Sequence, residues 1–206
     1  SNFGHSPMLE HFPLHENKIP GALSLREAES EFKIACDIQH AHFKHYGEIA
    51  KMPVPLGVHK IESSESKRIR ASLENRISRK AIENISHLLD EGLGIYLYYY
   101  PGTPHRVRTT ARALQGENEA ARVNRLQEWN PERIIQRWSS LFARIIHLGY
   151  LPYSFHNETL GAVFDAGNAC MDGGFVDLDS LIPIDQMKTD DAFFDALAGS
   201  ILGLIR

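Results

Sequence analysis

At 206 residues, 43% hydrophobic content and a formal charge of -4, the chain can bury one domain core or build two small lobes that share a cleft. There is no strongly basic stripe, no apolar run near the roughly 18 residues of a membrane-spanning helix, and no charged-then-apolar leader. Neither nucleic acid nor a membrane is therefore expected as a partner. Two cysteines far apart, Cys36 and Cys170, make no disulfide framework and favour a reducing compartment, so a soluble, cytoplasmic protein is expected. The first residue is Ser1 and the first methionine Met8, so the natural start is expected to have been removed or the chain to be a piece of a longer protein.

Residues 1–20 are rich in Pro, His and polar residues without a period, and read as an irregular arm. SLREAESEFKIACDIQHAHFKHYGE predicts a helix: Ser24 can cap it, Glu27 completes a capping box, and Phe32, Ala35, Cys36, Ile38 and Phe43 supply an apolar face. MPVPLGVHKIE, with two prolines and alternating Val54, Leu56 and Val58, predicts an extended segment and then an edge strand. SSESKRIR reads as a polar break. Leu73, Ile77, Ala81, Ile85, Leu88 and Leu89 recur at three and four over 72–91, predicting a helix that Gly92 stops. LGIYLYYYPG is a strand by its β-branched and aromatic residues, ending in a Pro-Gly turn.

Residues 103–130 are basic and polar and read as a loop plus a solvated helix. NPERIIQRWSSLFARIIHLGY is the strongest helix. Asn130 caps, Pro131 takes the first position, Glu132 favours the positive end, and Gly149 stops it. Its stripe of Ile134, Ile135, Trp138, Leu141, Phe142, Ile145 and Ile146 must face the core. GNACMDGGFVDLDSL (167–181) predicts two short strands about an Asp172-Gly173-Gly174 turn, since glycines supply the positive φ of a tight hairpin. TDDAFFDALAGSILGLIR is a last amphipathic helix, capped by Thr189 with two aspartates in its first turn. Helices and strands in this order make an α+β chain.

The predicted hairpin brings Asn168 and Asp177 to the same end of two neighbouring strands. An amide oxygen with one or two carboxylate oxygens, Asp179 standing second, is the incomplete hard-ligand set that Mg²⁺ fills with phosphate and water. Set after the long buried helix and the run HLGYLPYSFHN, this arrangement resembles the catalytic half of the protein-kinase-like superfamily, closest to the aminoglycoside-phosphotransferase and selenoprotein O types. The resemblance implies a kinase-like fold: a mainly helical C-lobe with a metal-binding hairpin over 103–206, and a reduced or truncated N-lobe over 21–102. It implies ATP and Mg²⁺ as cofactors, with Asn168 and Asp177 on the metal, as an Asn and an Asp hold it in that family. His156 would open the catalytic loop. Upstream, LREAESEF is similar to the helix whose glutamate pairs with the phosphate-binding lysine, making Glu27 or Glu31 candidates. MPVPLGVHKI resembles the strand after that helix, and GIYLYYYPGT the strand running into the hinge where adenine sits.

The chain departs from the pattern at three places. Val163 stands where the family carries its catalytic aspartate, leaving Glu158 or Asp165 as the base. No G-x-G-x-x-G motif and no evident phosphate-binding lysine occur; Lys18 is the only lysine before the helix. An upstream domain or a partner protein completing the N-lobe is one expectation. The other is a degenerate kinase-like module that binds or scaffolds. The enzyme reading expects transfer of a phosphoryl or nucleotidyl group to an unknown acceptor.

Other groups carry weaker readings. His40, His42 and His45 resemble a metal cluster, but on a helix His40 and His42 lie about 200° apart and only His42 and His45 share a face. A metal-dependent hydrolase could use His156, Glu158, Asp165 and Asp177, without H-E-x-x-H spacing behind it. Cys170, between Ala169 and Met171, reads as a buried structural thiol. Arg106 and Arg108 share a face of an extended segment and could meet a phosphate or carboxylate, against the simpler reading of a basic surface loop. The tyrosines of YLYYYPG alternate between a core face and one that could stack on a ring.

Overall fold

The computed structural model describes residues 23–75, 79–103, 105–106, 130–152, 169–176, 178, 181–187 and 189–205. Strand β1 (Leu23–Ser24) runs directly into helix α1 (Leu25–Tyr46). Then come β2 (Val54–Lys60), α2 (Ser63–Glu74), α3 (Arg79–Glu91), β3 (Leu93–Tyr99), α4 (Pro131–His147), β4 (Tyr150–Pro152), β5 (Leu181–Pro183), a single 3-10 turn (Ile184–Gln186) and α5 (Asp190–Ile205). Helix and strand are mixed, as the α+β pattern requires. No helix among the described residues is long and apolar enough to cross a membrane. The chain divides into two compact units, Ser1–Lys33 with Pro55–Tyr98, and Ile34–Val54 with Tyr99–Arg206.

In the first unit, β1, β3 and β2 form a three-stranded sheet in that order, so β2 is an edge strand, as its prolines require. β1 pairs antiparallel to β3 with Leu23 opposite Gly94. Gly94 allows close packing: a Cβ there would stand 3.0 Å from Ala28 Cβ and 3.2 Å from Leu25 Cα, so a side chain would press on the first turn of α1. On the other side the Leu93 carbonyl accepts from Ile61 N at 2.9 Å. The capping box expected at α1 is complete. Ser24 Oγ accepts from Glu27 N at 3.1 Å, and Glu27 Oε2 accepts from Ser24 N at 3.0 Å.

The expectation for 61–91 needs correction. SSESKRIR is not a break but the first two turns of α2, and the single helix over 72–91 is two helices, α2 and α3. The reason is tertiary. Ile69 and Leu73, one helical turn apart, rest against a buried group of Ile61, Ile82, Ile85, Leu89 and Leu93. That contact stabilises a helix whose own residues are mostly polar or charged and none of which is buried. Ile77 lies outside the described residues. Gly92, at φ 92°, ends α3 as expected. On β2 the alternation does not mark the core, for Leu56 is 68% exposed.

In the second unit α4 carries the core. Asn130 adopts φ 42° and its side chain accepts from Arg133 N at 3.2 Å; Pro131 stands in the first turn, where its missing N–H costs nothing. Ile134, Leu141, Phe142 and Ile145 are buried, while Ile135, expected on the same stripe, is 50% exposed. Gly149, at φ 85°, closes the helix. β4 and β5 pair antiparallel, Leu151 opposite Ile182, and both α4 and α5 pack against β4. Thr189 Oγ1 accepts from Ala192 N at 3.1 Å, which is the cap expected for α5.

Ser24→Ala removes one half of the capping box and leaves Glu27 N without its acceptor. Stability is expected to fall by about 1 kcal/mol, read as a lowered urea midpoint with an unchanged m value, and Ser24→Thr should recover most of it.

Candidate functional site

The Asp172-Gly173-Gly174 turn is present as expected, and it is the most heavily tied segment of the second unit. Cys170 N donates to Gly174 O at 2.8 Å and Gly173 N to Cys170 O at 3.0 Å, closing the turn, with Gly173 at φ 90°. Ala169 and Phe175 pair in an antiparallel bridge. Three further bonds anchor the two arms. Met171 N donates to His105 O at 2.9 Å, Phe175 N to Lys51 O at 3.0 Å, and Trp138 Nε1 to Cys170 O at 2.8 Å.

The Asp172 side chain organises what surrounds the turn. Its Oδ1 accepts from Tyr100 Oη at 2.8 Å and from Gly174 N at 3.2 Å, and its Oδ2 accepts from Thr103 N at 3.2 Å. Lys51 Nζ lies 3.7 Å from Oδ2 and donates to the Asp172 carbonyl at 3.3 Å. A carboxylate only 15% exposed is thus supplied with donors from three separate parts of the chain. The fit leaves no room at the neighbouring glycines. A Cβ on Gly174 would overlap Tyr100 Oη and the Lys51 carbonyl, one on Gly102 would overlap Asp172 Oδ2, and one on Gly173 would overlap the stem of Arg137.

Tyr100, Cys170 and Val176 form a small buried cluster beneath the turn. Burial drives the Tyr100 hydroxyl far above the ordinary tyrosine range, and Cys170 and Asp172 push it the same way. Burial also raises the Cys170 thiol, against a lowering contribution from its bond to Tyr100. A thiol held protonated and fully buried is a packing group, as the sequence suggested.

Beside the turn, helix α4 presents a polar face to a cleft of about 670 Å³. Arg133, Gln136, Arg137, Ser140 and Arg144 recur at three and four along it, and Glu48, Ile49, Ala50, Lys51, Pro101 and Gly173 complete the wall. The segment after α1 is held rigidly. Gln39 is buried: its Nε2 donates to Ala50 O and Met52 O, each at 3.1 Å, and its Oε1 accepts from Ala50 N at 2.9 Å. Glu48 Oε1 accepts from Arg144 Nη1 at 2.5 Å, and this bond, with the guanidinium charge, holds the Glu48 carboxyl below the usual carboxylate range. The Arg144 guanidinium carbon also sits 4.7 Å from the Tyr46 ring centroid, and Tyr46 Oη hydrogen-bonds His147 Nδ1 at 2.6 Å.

Of the residues named from sequence, Glu27 is exposed and closes the capping box, and Glu31 is half-buried on α1. Arg106 is exposed and pairs through its backbone with Cys170. Arg108, His156, Glu158, Asp165, Asn168, Asp177 and Asp179 lie outside the described residues. The histidine reading needs revision: His42 and His45 do not share an environment. His42 is 1% exposed and its Nδ1 donates to Glu48 O at 2.7 Å, whereas His45 faces solvent. No group of three or more metal-ligating side chains occurs among the described residues. The tyrosines do not alternate as expected: Tyr98 and Tyr99, adjacent on β3, are both exposed, and only Tyr100, just beyond the strand, is buried. The cationic face of α4 and the carboxylate of Asp172 were not singled out from sequence. The first had a signal, arginines four and seven apart on the best helix; the second had none, because its donors are far away in the chain.

Asp172→Ala takes the acceptor from a buried hydroxyl, and unfolding free energy is expected to drop by about 1–3 kcal/mol in urea titrations. A second expectation concerns alkaline pH. The folded Tyr100 keeps its proton after an unfolded tyrosine, with pKa near 10, has lost its own, so the unfolded state binds fewer protons and stability falls as pH rises past about 10. The slope from this residue approaches about 1.4 kcal/mol per pH unit, and Tyr100→Phe should flatten it.

No protein-family model, curated protein or solved structure matches the chain.

Proposed function

We propose that the chain carries the metal-binding half of a kinase-like transferase. In this reading it uses ATP and Mg²⁺ to move a phosphoryl or nucleotidyl group to an acceptor. Asn168 and Asp177 hold the metal on the nucleotide phosphates, Asp179 stands behind them, and Glu158 or Asp165 serves as the base near His156. The observation that carries this reading is the pairing of Ala169 with Phe175 about the Asp-Gly-Gly turn. It holds together the immediate chain neighbourhoods of Asn168 and Asp177, which is what a shared cation asks of one amide and one carboxylate.

The surrounding elements support the same reading. A capped helix is followed by an edge strand, a strand ending in Pro101-Gly102, the apolar α4, and then the hairpin, in the order that the resemblance to kinase-like phosphotransferases requires. The antiparallel pairing of β4 with β5 joins the chain just before the 153–180 segment to the chain just after it. Phosphoryl transfer rests on positioning and on neutralising charge, so a rigid metal-bearing turn is its first need.

Val163, where the family has its aspartate, favours a second reading: a degenerate kinase-like module that binds or scaffolds, here one that holds nucleotide without turning it over. One experiment separates the two and tests both. Mg²⁺-ATP is expected to raise the thermal midpoint of the protein, the more so the higher its concentration, and Asp177→Ala to abolish the shift. Conversion of bound ATP to ADP, or release of pyrophosphate from it, marks the transferase. A shift without turnover marks the binding module. A melt indifferent to Mg²⁺-ATP overturns both.

A further inference from the structure

Helix α4 carries like charges on one face at helical spacing. Arg133 and Arg137 are one turn apart and Arg144 two turns further, and Lys51 faces them across the cleft of about 670 Å³. Two guanidiniums at i and i+4 repel, which works against an isolated helix. Among the described residues only one carboxylate, Glu48, lines this cleft, and it is committed to Arg144 at 2.5 Å. Lys51 is committed to Asp172 at 3.7 Å. Arg133 and Arg137 form no ion pair among the described residues. A chain with net charge -4 has therefore gathered four cations about one cavity, and among the described residues only two of them are paired with a carboxylate.

The cavity is also built rather than incidental. Arg137 is set by the turn: Gly173, at φ 90°, has no room for a Cβ because the Arg137 stem rests on it. Arg144 is set by Glu48 and by the Tyr46 ring. The wall opposite α4 is fixed through the buried Gln39 amide. His42 belongs to the lining and is 1% exposed. Its Nδ1 donates to the Glu48 carbonyl at 2.7 Å, and its Nε2 has no hydrogen-bond partner among the described residues. A preset cluster of guanidiniums and an ammonium matches a compact dianion with several acceptor oxygens, which arginine binds in bidentate fashion. The volume suits a metabolite-sized ligand.

We propose that this cleft is a binding site for a small phosphorylated molecule, held through its phosphate by Arg133 and Arg137, with Lys51 and Arg144 lining the same cleft. The site uses none of the residues assigned above to Mg²⁺-ATP, and stands or falls without them.

The test uses the whole chain in EDTA, so that no divalent metal contributes, with inorganic pyrophosphate as probe and calorimetry and thermal melts as readouts. Pyrophosphate should bind saturably and raise the thermal midpoint. Arg133→Ala with Arg137→Ala, both exposed positions, should weaken it by about tenfold per guanidinium removed while leaving the ligand-free melt near wild type. Asp177→Ala should leave pyrophosphate binding intact, which separates this site from the proposed metal site. Absence of saturable binding in the wild-type chain overturns the proposal. Equal affinity in the double variant overturns it as well. A short single-stranded RNA that binds more tightly than pyrophosphate, and loses its affinity in the same double variant, would replace the small ligand with a nucleic-acid backbone and so overturn it too.

Discussion

The second unit depends on one constraint: the carboxylate of Asp172 must sit where Tyr100 Oη, Thr103 N, Gly174 N and Lys51 Nζ converge. A buried carboxylate is costly unless its oxygens are filled, and here each oxygen is filled by donors that the turn itself brings into range. The glycines on either side follow from this. Gly102 and Gly174 have no space for a side chain because Asp172, Tyr100 and the Lys51 carbonyl occupy it. The hydroxyl of Tyr100 is in turn kept protonated by its burial and by the negative groups beside it. The turn, the Tyr100–Thr103 stretch and the segment after α1 are thus one polar assembly beside the small buried cluster of Tyr100, Cys170 and Val176.

That assembly has a consequence for the neighbouring helix. Because Gly173 receives the stem of Arg137, the conformation of the turn and the placement of a cation on α4 are coupled. Trp138, the next residue, donates to Cys170 O and ties the helix to the turn a second time. The apolar side of α4, with Ile134, Leu141, Phe142 and Ile145, meets the core, while its polar side is left facing the cleft. A helix amphipathic enough to be read from sequence therefore does two jobs, and the charged one was overshadowed by the apolar stripe. The turn meets the cleft through Gly173, while the bridge of Ala169 with Phe175 closes its other end.

What was legible in advance was local. Capping at Ser24–Glu27, Asn130 with Pro131, and Thr189 needs only residues within one turn of each other, and each cap formed as its spacing implied. Gly92 and Gly149 stop their helices for the same short-range reason, a positive φ open to glycine. Failures arose where long-range burial outweighed local character. SSESKRIR looked like a break because its polar residues dominate, yet Ile69 and Leu73 meet Ile85, Leu89 and Leu93 and the helix forms. His42 and His45 look alike on a helical wheel. Which one is buried was decided by the segment at Glu48 folding back over His42, which no helical period encodes.

By itself, then, the sequence determined the helices with good caps, the strand character of Leu93–Tyr99, the edge position of β2 and the Asp-Gly-Gly turn, since each rests on torsional preferences and on contacts within a few residues. It also carried the case for Asn168 and Asp177 as a metal pair, through an ordered resemblance rather than any one contact. Only the tertiary structure decided that Asp172, an ordinary turn residue by spacing, is a hub, because its partners Lys51 and Tyr100 lie 121 and 72 residues away. It likewise decided that arginines on a solvated helix face enclose a cavity with Lys51. Charge is visible in a sequence, but convergence of charge is a property of the packed chain.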